Sequence, residues 1–284
     1  MQFTREEIED LRDKTFCRTP ALRVHSIPEA LDFVNRVGFC FAFKAHNSEL
    51  PCLWHAACGE RQPEYPLHSH HDPYIGLVWE AKDVLPAQQK IYYGKALKNR
   101  PTMISLEFLP CFYRLHGHNG KEEAYLRLYM QGQLSSEAKK IMEALLDNPP
   151  MITADLKLAS GMAHPDKRAA FDRAMAELQM HMLITKIAEF YDPFTFLWDI
   201  FANRYHEQVT AAAKISENQA RLRILQQFFT LVYVAQPAEI RRLFGWPSDD
   251  IQEILDELLT AGFICNDLTI RNEKGTFYGL RQLK

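Results

Sequence analysis

The sequence predicts a mainly α fold with small β-hairpins, an α+β arrangement of tandem winged helix-turn-helix units. Three observations carry this expectation. From residue 135 onward three helical patterns are followed by a strand pattern, and the same order returns from residue 216. A glycine closes a helix in each copy, Gly161 in the first and Gly262 in the second, where a left-handed cap is favoured. The polar stretch Arg271-Asn-Glu-Lys-Gly275 separates two strand patterns, as a wing would.

The elements follow in chain order. Thr4-Arg-Glu-Glu7 reads as a capping box, because Thr4 can accept from helix amides while Glu7 reaches back. A second helix follows Ser26-Ile-Pro28, with Ala30, Leu31, Phe33 and Val34 as its apolar positions. The cluster Phe39-Cys-Phe-Ala-Phe43 reads as a buried strand or turn; the sharper reading is that Phe41 and Phe43 line a cleft where an unstacked base lies on an aromatic face. Residues 51–73, rich in Pro, His, Gly and Cys, predict a short helix and a long loop in which Asp72-Pro73 sets a turn. Residues 75–113, punctuated by prolines at 86, 101 and 110, predict short helices and turns.

The first clear copy comprises helices over 135–146, 153–160 and 166–182 and a strand over 183–188. In the second, helices over 216–234, 237–244 and 248–260 precede strands near 263–270 and 276–283. The chain therefore divides at 1–130, a divergent winged helix with insertions, 131–212 and 213–284, each of the last two a winged helix.

With 284 residues, of which 47% are hydrophobic and 12% aromatic, the chain can bury a sizeable core. No apolar segment approaches the ~18 residues of a membrane span, so the expected location is cytoplasmic, and nucleoid-associated if DNA is bound. The six scattered cysteines suit reduced core thiols. A net charge of −3 argues against indiscriminate coating of nucleic acid but permits a local basic surface.

The third helix of a winged helix commonly lies in the major groove, so its open face is the physical test. In the first copy that face shows Ala169, Asp172, Arg173, Ala176 and Glu177; in the second it carries Asp249, Asp250, Glu253, Asp256 and Glu257. Neither suits a polyanion. The favourable charge lies at Lys90, Lys95, Lys98, Arg100 and Arg114, with Lys167 and Arg168 at a helix start and Arg271 and Lys274 in the wing. The alternative is that these are an ordinary solvated face. Cys52, His55 and Cys58, with His68 to His71 downstream, match no common zinc spacing, and neither metal nor cofactor is predicted.

The stretches "VNRVGFCFAFKAHNSELPCLW" and "HDPYIGLVWEAKDVLPAQQKIYYGKALKNRPTMISLEFLPCFYRL", followed by winged helices ending "LFGWPSDDIQEILDELLTAGFI", resemble the AlkZ-like (YcaQ-like) winged-helix DNA glycosylases. The resemblance implies excision of alkylated or crosslinked bases. In that family a glycine is followed by a Gln-x-Asp or Gln-x-Gln motif, and then by a histidine. Here Gly38 matches the glycine and His46 falls near the histidine, but the motif positions are Phe41 and Phe43. A hydrolytic glycosylase needs amide or carboxylate groups to position water and stabilise a cationic sugar, which phenylalanine cannot do. Glu80 and Asp83, in the charged-aromatic cluster after Trp79, are the candidate substitutes; the plainer reading of that cluster is a solvated helix start.

Two functions follow. One is a protein of this scaffold that binds double-stranded DNA, damaged or not, with excision in doubt. The other is a non-enzymatic interaction or structural module whose acidic helix over 248–260 meets a protein partner.

Overall fold

The computed structural model describes residues 2–43, 50–116, 120–121 and 123–283. Strand β1 (Gln2–Phe3) and helix α1 (Arg5–Thr15) open the chain. The capping box forms as the sequence predicts: Thr4 Oγ1 accepts from the Glu7 amide at 3.2 Å, and Glu7 Oε2 accepts from the Thr4 amide at 2.7 Å. Next come α2 (Ile27–Val37), β2 (Phe39–Phe41), α3 (Leu53–Cys58), α4 (Pro73–Ala87) and the hairpin of β3 (Ile91–Leu97) and β4 (Arg100–Ser105). Helices α5 (Leu109–Arg114) and α6 (Ala124–Met130) lead onward.

The same order then recurs in α7 (Ser136–Asp147), β5 (Met151–Ile152), α8 (Thr153–Ala159), α9 (Arg168–Met180), β6 (Ile184–Tyr191) and β7 (Phe194–Ile200). Helices α10 (Phe201–Arg204) and α11 (His206–Ala212) precede a third round of α12 (Glu217–Val232), β8 (Val234–Ala235), α13 (Pro237–Phe244), α14 (Ser248–Thr260), β9 (Ile264–Ile270) and β10 (Phe277–Leu280). Each round has one sheet topology, with the short strand beside the second hairpin strand: β2-β4-β3, β5-β7-β6 and β8-β10-β9, the last extended by β1. The element order of a winged helix thus occurs three times, where the sequence patterns declare it twice.

The first repeat differs most from its sequence reading. Residues 75–113, expected to form short helices and turns, hold most of the fifteen-residue α4 and a hairpin whose register shifts between Gly94 and Leu97. The Asp72-Pro73 pair does not set a turn; Asp72 caps α4, accepting from the amides of Tyr74 and Ile75 at 3.0 and 2.8 Å, and Pro73 sits in the first turn, where its missing N–H is not needed. Pro86 is confined to the last turn. The β3–β4 turn is Lys98-Asn99 with φ of 53° and 54°, the left-handed pair that matches strand twist. Lysine there hides a signal that glycine would have advertised. The second repeat's hairpin also runs beyond the expected 183–188.

Strand β2 lies wholly inside the core. Phe39, Cys40 and Phe41 are all at most 2% exposed, and Phe39 meets the rings of Phe108, Phe112 and Phe244 edge-on at 5.8, 5.2 and 6.1 Å. Phe41 has no free face for a base, and Phe43 is half-buried against the same core, so the cleft reading of Phe41 gives way to the buried strand. One apolar cluster runs through the first and third repeats, and another fills the middle one.

The opening segment, grouped by the sequence reading with residues 1–130, packs on the third repeat. Strand β1 pairs in parallel with β9, Arg5 forks onto the Glu273 carboxylate with Nε at 2.9 Å, and the buried Arg12 donates to the carbonyls of Val232 and Val234, both at 2.9 Å. Among the described residues no helix is long and apolar enough to cross a membrane.

Candidate nucleic-acid interface

The first two repeats pack reciprocally. Helix α4 lies on β6, α9 lies on β3, and β3 and β6 adjoin. This turns both third helices partly into the contact between repeats. Ala169, Asp172 and Arg173 are exposed as the sequence predicts, but Ala176 is 6% exposed and Glu177 is drawn inward, its carboxylate accepting from the Ser135 amide and hydroxyl at 3.0 and 2.7 Å. A helical wheel shows one buried face, and here a neighbouring hairpin covers a second.

The hairpins are what remain open. In the first, Lys98 is exposed at the turn while Lys95 and Arg100 are half-buried, the Arg100 guanidinium lying 5.9 Å from the Phe41 ring centre. Lys90 is exposed just before β3, and Lys167 and Arg168 are exposed at the start of α9, with Lys167 Nζ donating to the Gly161 carbonyl at 2.8 Å. Helix α9, which Arg168 opens, packs on β3 of this hairpin. Arg114 is half-buried and engaged within the fold. Arg271 and Lys274 are exposed on the separate wing between β9 and β10.

The sequence reading missed the second hairpin's chemistry. Phe190, Tyr191 and Phe194 are 46%, 70% and 60% exposed. Behind them a ladder of rings runs inward along β7, from Phe194 to Phe196 at 5.2 Å and from Phe196 to Trp198 at 5.8 Å, ending at the buried Trp198, whose indole donates to Thr153 Oγ1 at 3.0 Å. The period-two spacing of 194, 196 and 198 was the available signal. Lys186 joins this hairpin to the first, its ammonium lying 5.4 Å from the Tyr93 ring and 5.1 Å from that of Phe196.

Where α4 meets β6, four charges close on one another. Asp83 Oδ1 accepts from Lys82 Nζ at 2.6 Å and Lys186 Nζ at 3.0 Å, Asp83 Oδ2 accepts from the Tyr191 hydroxyl at 2.7 Å, and Glu189 pairs with both lysines. The side chains are 16% exposed or less. Burial opposes ionisation of Asp83, but the hydrogen bonds donated by Lys82 and Tyr191 and the charge of Lys186 outweigh it and hold the carboxyl well below the usual range. The hydrogen bond to Asp83, then burial, push the Tyr191 phenol up to about 12.

Asp83 is therefore a poor general base, ionised at neutral pH with its lone pairs committed. It also lies within α4, not at a helix start; Glu80, on the same helix, is exposed. Because the folded-state pKa of Asp83 is depressed, its stabilisation is present above the ordinary carboxylate value of ~3.9 and is lost as pH falls toward the folded value. Acid unfolding of the wild type should accordingly be steeper below about pH 4 than that of Asp83→Asn, as denaturant melts across a pH series would measure.

The remaining candidates divide plainly. His46 lies outside the described residues. Cys52 and Cys58 are buried, and among the described residues no three His, Cys, Asp or Glu side chains gather as a metal would need. On α14 Asp249, Glu253, Asp256 and Glu257 are exposed, whereas Asp250 pairs with Arg221 at 2.9 Å.

Among curated proteins none matches the chain. Among solved structures it is similar to the Streptomyces sahachiroi DNA glycosylase AlkZ, at 10% identity and a TM-score of 0.63, over 99% of this chain and 71% of that one. At such identity the likeness concerns the fold. The sequence profile of the AlkZ-related family matches residues 24–245, most of the chain, from just before α2 to the end of α13. The chain belongs to the AlkZ-related family.

Proposed function

We propose that the chain binds double-stranded DNA through its hairpins and acts where alkylated or crosslinked duplex is recognised, without excising a base by its family's usual motif. The observation that carries this reading is the adjoining pair of hairpins, one basic at Lys95, Lys98 and Arg100 and the other tipped by Phe190, Tyr191 and Phe194. Cations neutralise phosphates, and exposed rings at a hairpin tip supply apolar surface for a base step or groove wall. Family membership supports the same setting.

Excision is disfavoured on two counts. Phe41 and Phe43 occupy the motif positions and belong to or pack on the core, and Asp83 is committed to its ion pairs. Glu80 is the remaining candidate carboxylate. Incubating the protein with alkylated duplex and assaying abasic sites should give binding without abasic sites. Abasic sites that disappear in Glu80→Gln would instead make this an enzyme with displaced chemistry.

The exposed acids of α14 favour a second reading, a docking face for a basic protein partner. On that reading reversing the charge of the exposed Glu253 would weaken partner capture and leave DNA affinity unchanged.

A further inference from the structure

We propose that Asp83 is a positioning residue for the aromatic hairpin, clasping Tyr191 so that the first repeat sets where the second repeat's wing tip stands. The inference rests on the DNA-binding reading above and adds what orders the contacting surface. Tyr191 combines a ring that is 70% exposed with a hydroxyl held 2.7 Å from a carboxylate on another repeat. Its ring is 6.0 Å from that of Phe194 across the turn, so fixing one fixes the tip.

The anchor is itself held on several sides. Asp83 stands mid-face on α4, its other oxygen gripped by Lys82 and Lys186, and Lys186 is in turn sandwiched between Tyr93 and Phe196. The two lysines and two carboxylates sum to zero charge, so the cluster offers phosphate no net attraction. Its consequence is geometric: α4, β3 and the base of the second hairpin become one unit, to which the Tyr191 hydroxyl ties the solvent-facing tip by a hydrogen bond to Asp83. A hairpin without this tie samples orientations in which its rings point away from the basic wing, and apparent affinity falls by the fraction of time it does so.

Tyr191→Phe removes the hydroxyl and keeps the ring, so it separates the clasp from the contact surface. Three readouts on the full chain are compared with wild type: duplex affinity, chymotrypsin cleavage at the tip, and the melting temperature. The expected result is severalfold faster cleavage next to Phe190 and Phe194 and an affinity loss of about three- to tenfold, with a melting temperature near wild type. Because Asp83 and Tyr191 share this contact while Asp83 also holds Lys82 and Lys186, the affinity loss of the double variant Tyr191→Phe/Asp83→Asn should fall short of the product of the two single losses. Phe194→Ser supplies the control for the underlying reading. If Phe194→Ser loses affinity while Tyr191→Phe binds and is cleaved like wild type, the clasp is overturned and the DNA reading stands. Faster cleavage of Tyr191→Phe with unchanged affinity also overturns it. If neither wild type nor any variant binds duplex, the DNA reading itself has failed, and the clasp as a device for DNA falls with it.

Discussion

Phe39→Ala is expected to lower the unfolding free energy by about 3–5 kcal/mol, the range for removing a buried aromatic side chain. The ring is fully buried and sits where the first and third repeats share one core, among Phe108 and Phe112 on one side and Phe244 on the other. Those neighbours are rigid rings on α5, α13 and the turn before α5, so the cavity cannot collapse cheaply. Phe43→Ala, at a half-buried position, should cost markedly less. Denaturant melts of the two variants measure the difference; equal losses would contradict the placement of β2 at the junction between repeats.

Lys98→Glu combined with Arg100→Glu should weaken duplex binding at low salt by at least about tenfold and make the dependence of affinity on salt shallower by about two or more counterions, since two cations become anions. Arg100 also contacts the Phe41 ring, a cation–π contribution of about 0.5–1 kcal/mol, so a small loss of stability accompanies the change. The melting temperature of the variant distinguishes the two effects. An affinity loss with an intact fold assigns the first hairpin to DNA.

The sequence announced the second and third repeats because their helices are amphipathic and bounded by local devices. Ser135 and Ser216 cap α7 and α12, and Gly161 and Gly262 take φ of 69° and 70°, so chemistry at a single residue marks each boundary. The first repeat was illegible for equally specific reasons. Asp-Pro serves turns and helix starts alike, and its meaning was fixed only when α4 found α3 and β6 to pack on. The tight turn at Lys98-Asn99 lacks glycine and depends on the pairing of β3 with β4.

The candidate site was legible in its charges and hidden in its contacts. Lys95, Lys98 and Arg100 stand out in any count of basic residues, whereas the significance of Asp83 rests on Lys186, 103 residues away, and on Tyr191, 108 residues away. No local pattern encodes such a pairing. The same is true of Ala176, buried on a helix that packs on a hairpin of another repeat. Phe41 shows the converse: a run of apolar residues was sufficient to place it in a core, and the fold agrees.

The most direct test of DNA binding through the paired hairpins is fluorescence anisotropy of a labelled duplex with the 284-residue chain, titrated at about 50 and 200 mM salt, for wild type and the Lys98→Glu/Arg100→Glu variant. Saturable binding by wild type that weakens steeply at the higher salt is expected, with binding by the variant at least about tenfold weaker at the lower salt and a salt dependence shallower by about two counterions or more. Wild-type and variant curves that coincide at both salt concentrations, or no binding by a folded wild type at the lower one, would contradict that expectation.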